Sequence, residues 1–250
     1  RPLGNFDPDL VAMLVEATGD LGIDLQTRAK VLEIRKSGSA FEVVYETPSG
    51  VSTVICDAAV HATGRVPNID DLNLEAAGIE YSRRGIKVSP SMRTTNPRIF
   101  AVGDCADSGP NLTPVSANEG RVAAKNLLAG KDARVVNYPP IPSVVFTLPP
   151  VATVGLSEKA ARDKGLDFET HFEKTEGWYS SMRVGAKWTG YKVLVEKGSG
   201  KILGAHLIGP GAEEQINLFA MAMKTGLTAN QIKAMIFAYP SYASDIGSMV

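Results

Sequence analysis

The feature that most constrains the fold is a proline-rich stretch at 131–142, which holds Pro139, Pro140 and Pro142. Proline lacks a backbone N–H and has a fixed φ, so this stretch cannot form a continuous helix or a central strand. It is therefore predicted to be a linker. The hydrophobic patterns on its two sides differ.

Before the linker, the pattern is typical of an α/β fragment. Asp7 precedes Pro8 and a helical apolar spacing, which predicts a helix over 7–22. A second helix is predicted over 114–129, with Gly130 as its stop, from the apolar pattern of Val115, Val122, Ala123, Leu127 and Leu128. Predicted strands lie at 31–34, 41–46, 51–56, 58–62 and 99–102.

Beyond the linker, the pattern predicts an α+β domain with an antiparallel sheet. Two alternating runs flank the turn Lys197-Gly198-Ser199-Gly200 and predict a hairpin. Further strands are predicted at 144–147 and 151–154, and Ser157 is positioned to cap a short helix. Predicted helices lie at 157–164, 212–225 and 228–237.

Composition excludes several classes of protein. The 250 residues hold 26 Lys+Arg and 27 Asp+Glu, a formal net charge of −1, with no basic tract. A nucleic-acid or membrane-surface partner is therefore not expected. No apolar run reaches the ~18 residues of a membrane span. The two cysteines, Cys56 and Cys105, are far apart and suit reduced thiols in a cytoplasmic protein.

Common nucleotide and metal motifs are missing from the 250 residues. There is no GxGxxG and no P-loop, and the glycine-rich segments fit turns better than phosphate sites. The three histidines lack metal-ligand spacing, so no metal site is predicted. His61 and His206 lie in apolar strand patterns, which favours structural roles.

Two segments carry chemical information: Ala-Thr-Gly-Arg-Val-Pro-Asn at 62–68, and a strand-like run that ends in Gly103-Asp104. Glycine lets a ligand approach the backbone, and the carboxylate offers two acceptor oxygens to sugar-type hydroxyls. Thr113 and Pro114 then open a helix whose free amides can face an electron-rich ring edge. Gly-Asp alone would also fit a simple capped turn.

Together these segments resemble the pyridine nucleotide–disulphide oxidoreductase family, which includes glutathione reductase, dihydrolipoamide dehydrogenase and mercuric reductase. The resemblance continues through 142–158 and 204–213 into a dimerisation domain. It implies α/β remnants of Rossmann-like domains followed by an α+β dimerisation domain with an antiparallel sheet. The implied parts are an NAD(P)-binding portion at 1–67, an FAD-binding portion at 68–135 and the dimerisation domain at 136–250.

The resemblance also implies the cofactors, FAD and NAD(P)H, and the residues that bind them. Asp104, after Gly103, would hold the FAD ribityl chain, and the Leu112–Val115 backbone would face the flavin pyrimidine. The implied cofactor-binding residues are Gly64, Arg65, Gly103, Asp104, Leu112, Thr113, Pro114 and Val115.

The family's FAD fingerprint, its CxxxxC pair and its glycine-rich NAD(P) turn are missing from this sequence, which opens on Arg1. The chain is thus expected to be the carboxyl-terminal half of a longer protein, with the missing half as a partner. Alone, it is expected to bind neither cofactor tightly, to be inactive, and to form a homodimer through 140–250. The rival hypothesis is a dimerisation module with no catalysis of its own.

The tail departs from the family pattern of disulphide reductases, which place an acid/base histidine before a proline. Here Tyr239 takes that position, with Ser244 at the place of the glutamate and Asp245 one residue later. A phenol with a pKa of ~10 is a poor base at neutral pH. A metal ion or quinone is therefore an alternative electron acceptor to a disulphide, as in a mercuric-reductase-like enzyme. Tyr239 and Tyr242 would either line a substrate pocket or pack at the dimer interface.

Overall fold

The computed structural model describes residues 1–250, which form two compact units. The larger unit comprises residues 1–59 and 139–250, and the smaller unit comprises residues 60–138. The helices are α1 (Pro8–Asp20), α2 (Thr113–Ala129), α3 (Glu158–Asp163), α4 (Tyr179–Met182), α5 (Ala212–Thr225), α6 (Ala229–Lys233) and α7 (Ile246–Met249). The strands are β1 (Lys30–Ser37), β2 (Ala40–Thr47), β3 (Gly50–Cys56), β4 (Tyr81–Ser82), β5 (Gly85–Lys87), β6 (Ala106–Asp107), β7 (Ser143–Val145), β8 (Val151–Gly155), β9 (Phe168–Lys174), β10 (Gly190–Glu196) and β11 (Ile202–Ile208).

A five-stranded antiparallel sheet organises the larger unit, in the order β7-β8-β11-β10-β9. One face carries the main core, in which Val193 and Leu207 pack with Ile216 and Phe219 of α5. Alternation along each strand sends the neighbouring residues to the opposite face. The antiparallel sheet predicted beyond the linker is confirmed, although β9 and α4 were not predicted.

Helix α1 packs against that sheet through Leu10, Met13 and Leu14, which form a core with Val151 and Ile208. Asp7 caps the helix, because its Oδ1 accepts the backbone N–H groups of Asp9 (3.0 Å) and Leu10 (3.2 Å). The predicted helix and its start are thus confirmed.

A polar row crosses this apolar core. Cross-strand partners Thr153, His206 and Lys192 lie side by side on β8, β11 and β10. The Lys192 ammonium, 2% exposed, lies 3.0 Å from Asp7 Oδ2 and also pairs with Asp9 and Glu158. Buried charge of this kind is tolerated only because opposite charges surround it.

His206 is a structural residue, in line with the sequence-based expectation. Its Nε2 donates to the Leu156 carbonyl (3.1 Å), so Nδ1 is free to accept the Thr153 hydroxyl (2.6 Å). Burial lowers the pKa of His206, which keeps the imidazole neutral.

Strands β1–β3 form a separate antiparallel meander. Ile34, Val43 and Val54 are paired across the three strands and therefore share one face. Ile34 and Val54 are nevertheless exposed, so this apolar face has no cover in the chain itself.

In the smaller unit, β4 pairs antiparallel with β5, which pairs parallel with β6. Ile69, Leu74, Ile79 and Ile86 form its core. Helix α2 begins at Thr113 and ends before Gly130, whose φ of 66° stops it in the left-handed region.

Two predicted strands are wrong. Residues 58–62 are irregular and exposed, and 99–102 makes only an isolated bridge between Phe100 and Arg93. Each run has strand-like residues, but a strand also needs neighbours to satisfy its backbone. The chain places no strand beside 58–62, and beside 99–102 only the short bridge at Arg93.

Candidate functional site

The Gly103-Asp104 turn follows the extended residue Val102 in the smaller unit. Gly103 has a φ of 70°, and a Cβ there would lie 2.8 Å from the Ser116 hydroxyl on α2. Glycine therefore satisfies both the left-handed backbone and the close packing of the turn on the helix. The Asp104 side chain that follows is about half exposed and available to a ligand.

Helix α2 begins beside this turn without a side-chain cap. Its N-cap residue, Leu112, has no side-chain acceptor, and Pro114 carries no N–H. Thr113 and Pro114 are exposed, whereas Val115 is buried and anchors the first turn. An uncapped helix start presents partial positive charge to whatever lies in front of it.

Arg65 lies close to Asp104, with Nη2 3.7 Å from Oδ2. It follows Gly64, whose φ of 122° is accessible mainly to glycine. Because both side chains are well exposed, the ion pair contributes little to stability. It does show that the two sequence motifs come together in one unit.

Glu119 was missed by the sequence analysis. Its side chain is buried (1% exposed) and receives four hydrogen bonds. Oε2 accepts the Gly103 N–H (2.7 Å), while Oε1 accepts the hydroxyls of Tyr138 (2.6 Å) and Ser108 (2.8 Å) and the Gly109 N–H (3.4 Å). Burial alone would raise the pKa of Glu119, but these donors outweigh it and lower the pKa.

A signal for Glu119 was present in the sequence. Val115, Glu119 and Ala123 are four residues apart, so they share one face of α2. An acidic residue on a buried stripe indicates a specific polar partner. Leu127 and Leu128, taken as part of the apolar pattern, are instead exposed, and Asn126 is buried in their place.

The tail residues lie in the larger unit. Tyr239 is 72% exposed and stacks on Tyr179, with ring centroids 5.8 Å apart. Asp245 is half-buried, and burial raises its pKa, an effect that the Ser180 hydroxyl partly offsets. A raised pKa brings a carboxyl group nearer to the range of an acid/base catalyst.

Two kinds of feature are not found in the chain: a cluster of metal-ligating side chains and a helix that could span a membrane. No three His, Cys, Asp or Glu side chains are arranged to hold a metal ion. No helix has both the length and the apolarity to cross a bilayer.

Comparison with known families agrees with this geometry. Residues 1–120 match the family described as pyridine nucleotide-disulphide oxidoreductase, and residues 141–250 match its dimerisation domain. The chain belongs to this family. Its membership was predicted from the two motifs and is confirmed.

Individual relatives cover different shares of the chain. Mercuric reductase of Bacillus cereus is 32% identical over 248 residues, which are 98% of this chain and 39% of the relative. Dihydrolipoyl dehydrogenase of Geobacillus stearothermophilus is 32% identical over 240 residues, 96% of this chain and 50% of the relative. An uncharacterized 19.7 kDa protein of a Staphylococcus aureus mercuric resistance operon is 39% identical over 181 residues, 72% of this chain and 100% of the relative.

Solved structures show the same relation. The HOCl-induced flavoprotein disulfide reductase RclA from Escherichia coli superimposes with a TM-score of 0.88 at 25% identity, over 99% of this chain and 56% of that one. LpdA from Mycobacterium tuberculosis gives a TM-score of 0.84 at 25% identity, over 97% of this chain and 52% of that one. The chain thus spans about half the length of these relatives.

Proposed function

We propose that this chain is the flavin-facing and dimer-forming part of an FAD-dependent NAD(P)H oxidoreductase. The observation that carries the proposal is the Gly103-Asp104 turn packed against the uncapped start of α2. Membership of a family that uses FAD and NAD(P)H supports it.

The residues of the smaller unit fit FAD chemically. Asp104 presents acceptor oxygens suited to ribityl hydroxyls, and Gly103 permits the tight turn against Ser116 that places Asp104 beside α2. At the start of α2, Leu112 and Val115 already donate their N–H groups to the carbonyls of Pro110 and Leu112, and Pro114 has none. The Thr113 N–H and the positive end of the helix dipole are therefore what this helix start offers to the electron-rich edge of a flavin ring. When bound, FAD would supply hydride acceptance from a nicotinamide and electron transfer onward. Gly64 and Arg65 complete the proposed cofactor-binding set.

Part of that cofactor site would come from a second polypeptide segment, the amino-terminal half found in longer relatives. Uncovered apolar surface supports this step, on the meander at Ile34 and Val54 and on α2 at Leu127 and Leu128. On this proposal, residues 1–67 belong to an NAD(P)-binding portion and 68–135 to an FAD-binding portion. The chain alone would then bind either cofactor only weakly.

Residues 136–250 form the proposed homodimer domain, with the contact made through 140–250. The match to the family's dimerisation domain supports this assignment. Several large apolar side chains of this region are exposed, as expected for a surface that a second copy covers. They are Phe146, Leu148, Ile236 and Tyr239.

The electron acceptor is proposed to be one that needs no histidine base. Tyr239 is exposed and, as a phenol, is poorly matched to proton transfer at neutral pH. Asp245, with its raised pKa, is the better candidate acid/base group. Mercuric reductases are among the relatives, which is consistent with a metal ion as that acceptor.

A dimerisation module without catalysis is the second candidate. The short relative encoded in a mercuric resistance operon favours it, because its whole length matches within this chain. The two candidates differ in whether the smaller unit recognises FAD at all.

Amide NMR of the intact chain titrated with FAD separates them. We expect shifts confined to residues near 103–105 and 112–116, with a dissociation constant weaker than about 1 µM, the affinity equivalent of −8.2 kcal/mol. Asp104→Ala should abolish the shifts induced by FAD. Asp107→Ala, which removes the ion pair with the exposed Arg84, should retain them. If FAD shifts no amide signal of the smaller unit, the dimerisation module without catalysis is favoured.

A further inference from the structure

We infer that Glu119 is a positioning residue of the proposed FAD site, where its carboxylate fixes the loop between Gly103 and α2. The inference rests on the proposed function. Glu119 itself is buried and is not assigned to contact the cofactor.

The first step of the argument is where the four donors come from. The Gly103 N–H immediately precedes Asp104, and Ser108 and Gly109 lie between that turn and the start of α2. Tyr138 closes the network from the end of the smaller unit. One side chain on α2 therefore ties both ends of the ligand-facing loop to the helix.

The second step is the charge. Glu119 has no Lys, Arg or His within ion-pair distance, and all of its partners are neutral donors. A buried carboxylate without a counter-ion is costly, and an apolar residue would fill the space without that cost. What an apolar residue cannot do is accept the two backbone N–H groups at 103 and 109.

The third step is the packing of the loop glycines. A Cβ at Gly103 would lie 2.8 Å from Ser116 Oγ, and one at Gly109 would lie 2.6 Å from the Tyr138 ring. The loop is thus held tightly at the same two points where Glu119 accepts its N–H groups. Small displacements of either point would move the Asp104 carboxylate.

Three variants test the inference in the intact chain. Glu119→Leu removes every acceptor. Glu119→Gln keeps one oxygen for Gly103, and its NH₂ can donate to the hydroxyls of Ser108 and Tyr138, which rotate to accept. It loses only the long contact with the Gly109 N–H (3.4 Å). Asn126→Leu is the matched control, because Asn126 is equally buried on α2 and makes three hydrogen bonds, all to Ser91 and Arg134.

We expect Glu119→Leu to weaken FAD binding at least tenfold, about 1.4 kcal/mol, and to speed amide hydrogen exchange at Gly103 and Gly109. Glu119→Gln should stay within about threefold of the wild-type affinity and keep Gly103 protected, which is rescue by the conservative variant. Asn126→Leu should lower the stability of the smaller unit while FAD affinity changes less than about threefold.

Equal losses of FAD affinity in Glu119→Leu and Asn126→Leu would overturn the inference, since general destabilisation would then explain both. If Glu119→Leu does not fold, the double variant Ser108→Ala/Tyr138→Phe removes two of the three donors to Oε1, so this oxygen is no longer held toward the Gly109 N–H. Exchange at Gly109 should then become faster and FAD binding weaker. Unchanged exchange and affinity in that variant would also overturn it. No FAD response from the wild-type chain would refute the proposed function, whereas a wild-type response retained in Glu119→Leu would refute only the role of Glu119.

Discussion

Replacing Lys192 with methionine should destabilise the larger unit far more than replacing the exposed Lys187. Both lysines connect the sheet side of that unit to a carboxylate of α1. Lys192 pairs with Asp7 at 3.0 Å, and Lys187 pairs with Asp20 at 2.6 Å. The two lysines differ in burial, since Lys192 is 2% exposed and Lys187 is 67% exposed, and Lys192 also pairs with Asp9 and Glu158.

The expected magnitudes follow from that difference. Lys192→Met leaves the fully buried Asp7 carboxylate without its cation, which costs about 3–5 kcal/mol in comparable cases. Lys187→Met removes an exposed pair that contributes only about 0–1 kcal/mol. With a urea m-value of about 2 kcal/mol/M, the first variant should unfold at a midpoint about 1.5–2.5 M lower.

Tryptophan fluorescence during urea unfolding is a suitable assay. The chain has two tryptophans, Trp178 and Trp188, and both lie in the larger unit, so the signal reports on that unit alone. Protein concentration is held constant, because dimerisation would shift the apparent stability. The double variant Lys192→Met/Asp7→Asn should recover at least half of the loss, since it removes the uncompensated charge and keeps a helix-capping side chain.

Two results would refute this reasoning. One is a Lys192→Met variant within about 1 kcal/mol of Lys187→Met, which would show that burial does not strengthen the pair. The other is a double variant as unstable as Lys192→Met, which would place the cost in lost packing rather than in the charge left on Asp7.

Three further predictions concern stability. Burial and Glu173 raise the pKa of Tyr191 to about 12, above its ordinary value, so its contribution is complete below pH ~10 and is lost as the pH rises toward 12. In urea unfolding, the free energy of unfolding of the larger unit should fall by about 2–3 kcal/mol over that pH range, and Tyr191→Phe should not show this fall. Gly120→Ala should stabilise the smaller unit by about 0.5–1 kcal/mol in hydrogen exchange, because Gly120 lies inside α2 with open space at its Cβ; a loss of stability would contradict this. Gly204→Ala should lower the urea midpoint of the larger unit by more than Gly198→Ser, because its Cβ would meet the Leu156 carbonyl oxygen at 2.0 Å; an unchanged midpoint would contradict this.

Local signals in the sequence predicted the helices and hairpins of the chain well. Asp7 before Pro8 marked the start of α1, and the glycine-rich turn after 196 marked the β10–β11 hairpin; both are present. Ser157 caps α3 through the Ala160 N–H, as its position predicted. These features depend on residues a few positions apart, so they can be recognised without knowledge of the tertiary fold.

Predictions that depended on distant neighbours were less successful. Residues 58–62 and 99–102 have strand composition, yet no adjacent strand lies beside them, and they remain irregular. On α2, apolarity pointed to Leu127 and Leu128, but the buried position is Asn126, which holds the carbonyls of Ser91 and Arg134. Asn126 is the buried position because it bonds to Ser91 and Arg134, and the helical spacing of the sequence gives no information about these partners.

Lys192 and Glu119 share the same sequence signature, a charged residue on an otherwise buried face. Each can be recognised as anomalous from its spacing, but the sequence does not identify its partners: Asp9 is 183 positions from Lys192, and Tyr138 is 19 from Glu119. The structure gives the two residues different consequences. Lys192 is neutralised by surrounding carboxylates and holds a helix on a sheet, whereas Glu119 has only neutral donors and holds a loop beside an accessible aspartate. A buried charge without a counter-ion lowers the stability of a fold, so a purely structural role does not explain Glu119. A role in holding the proposed ligand site does explain it.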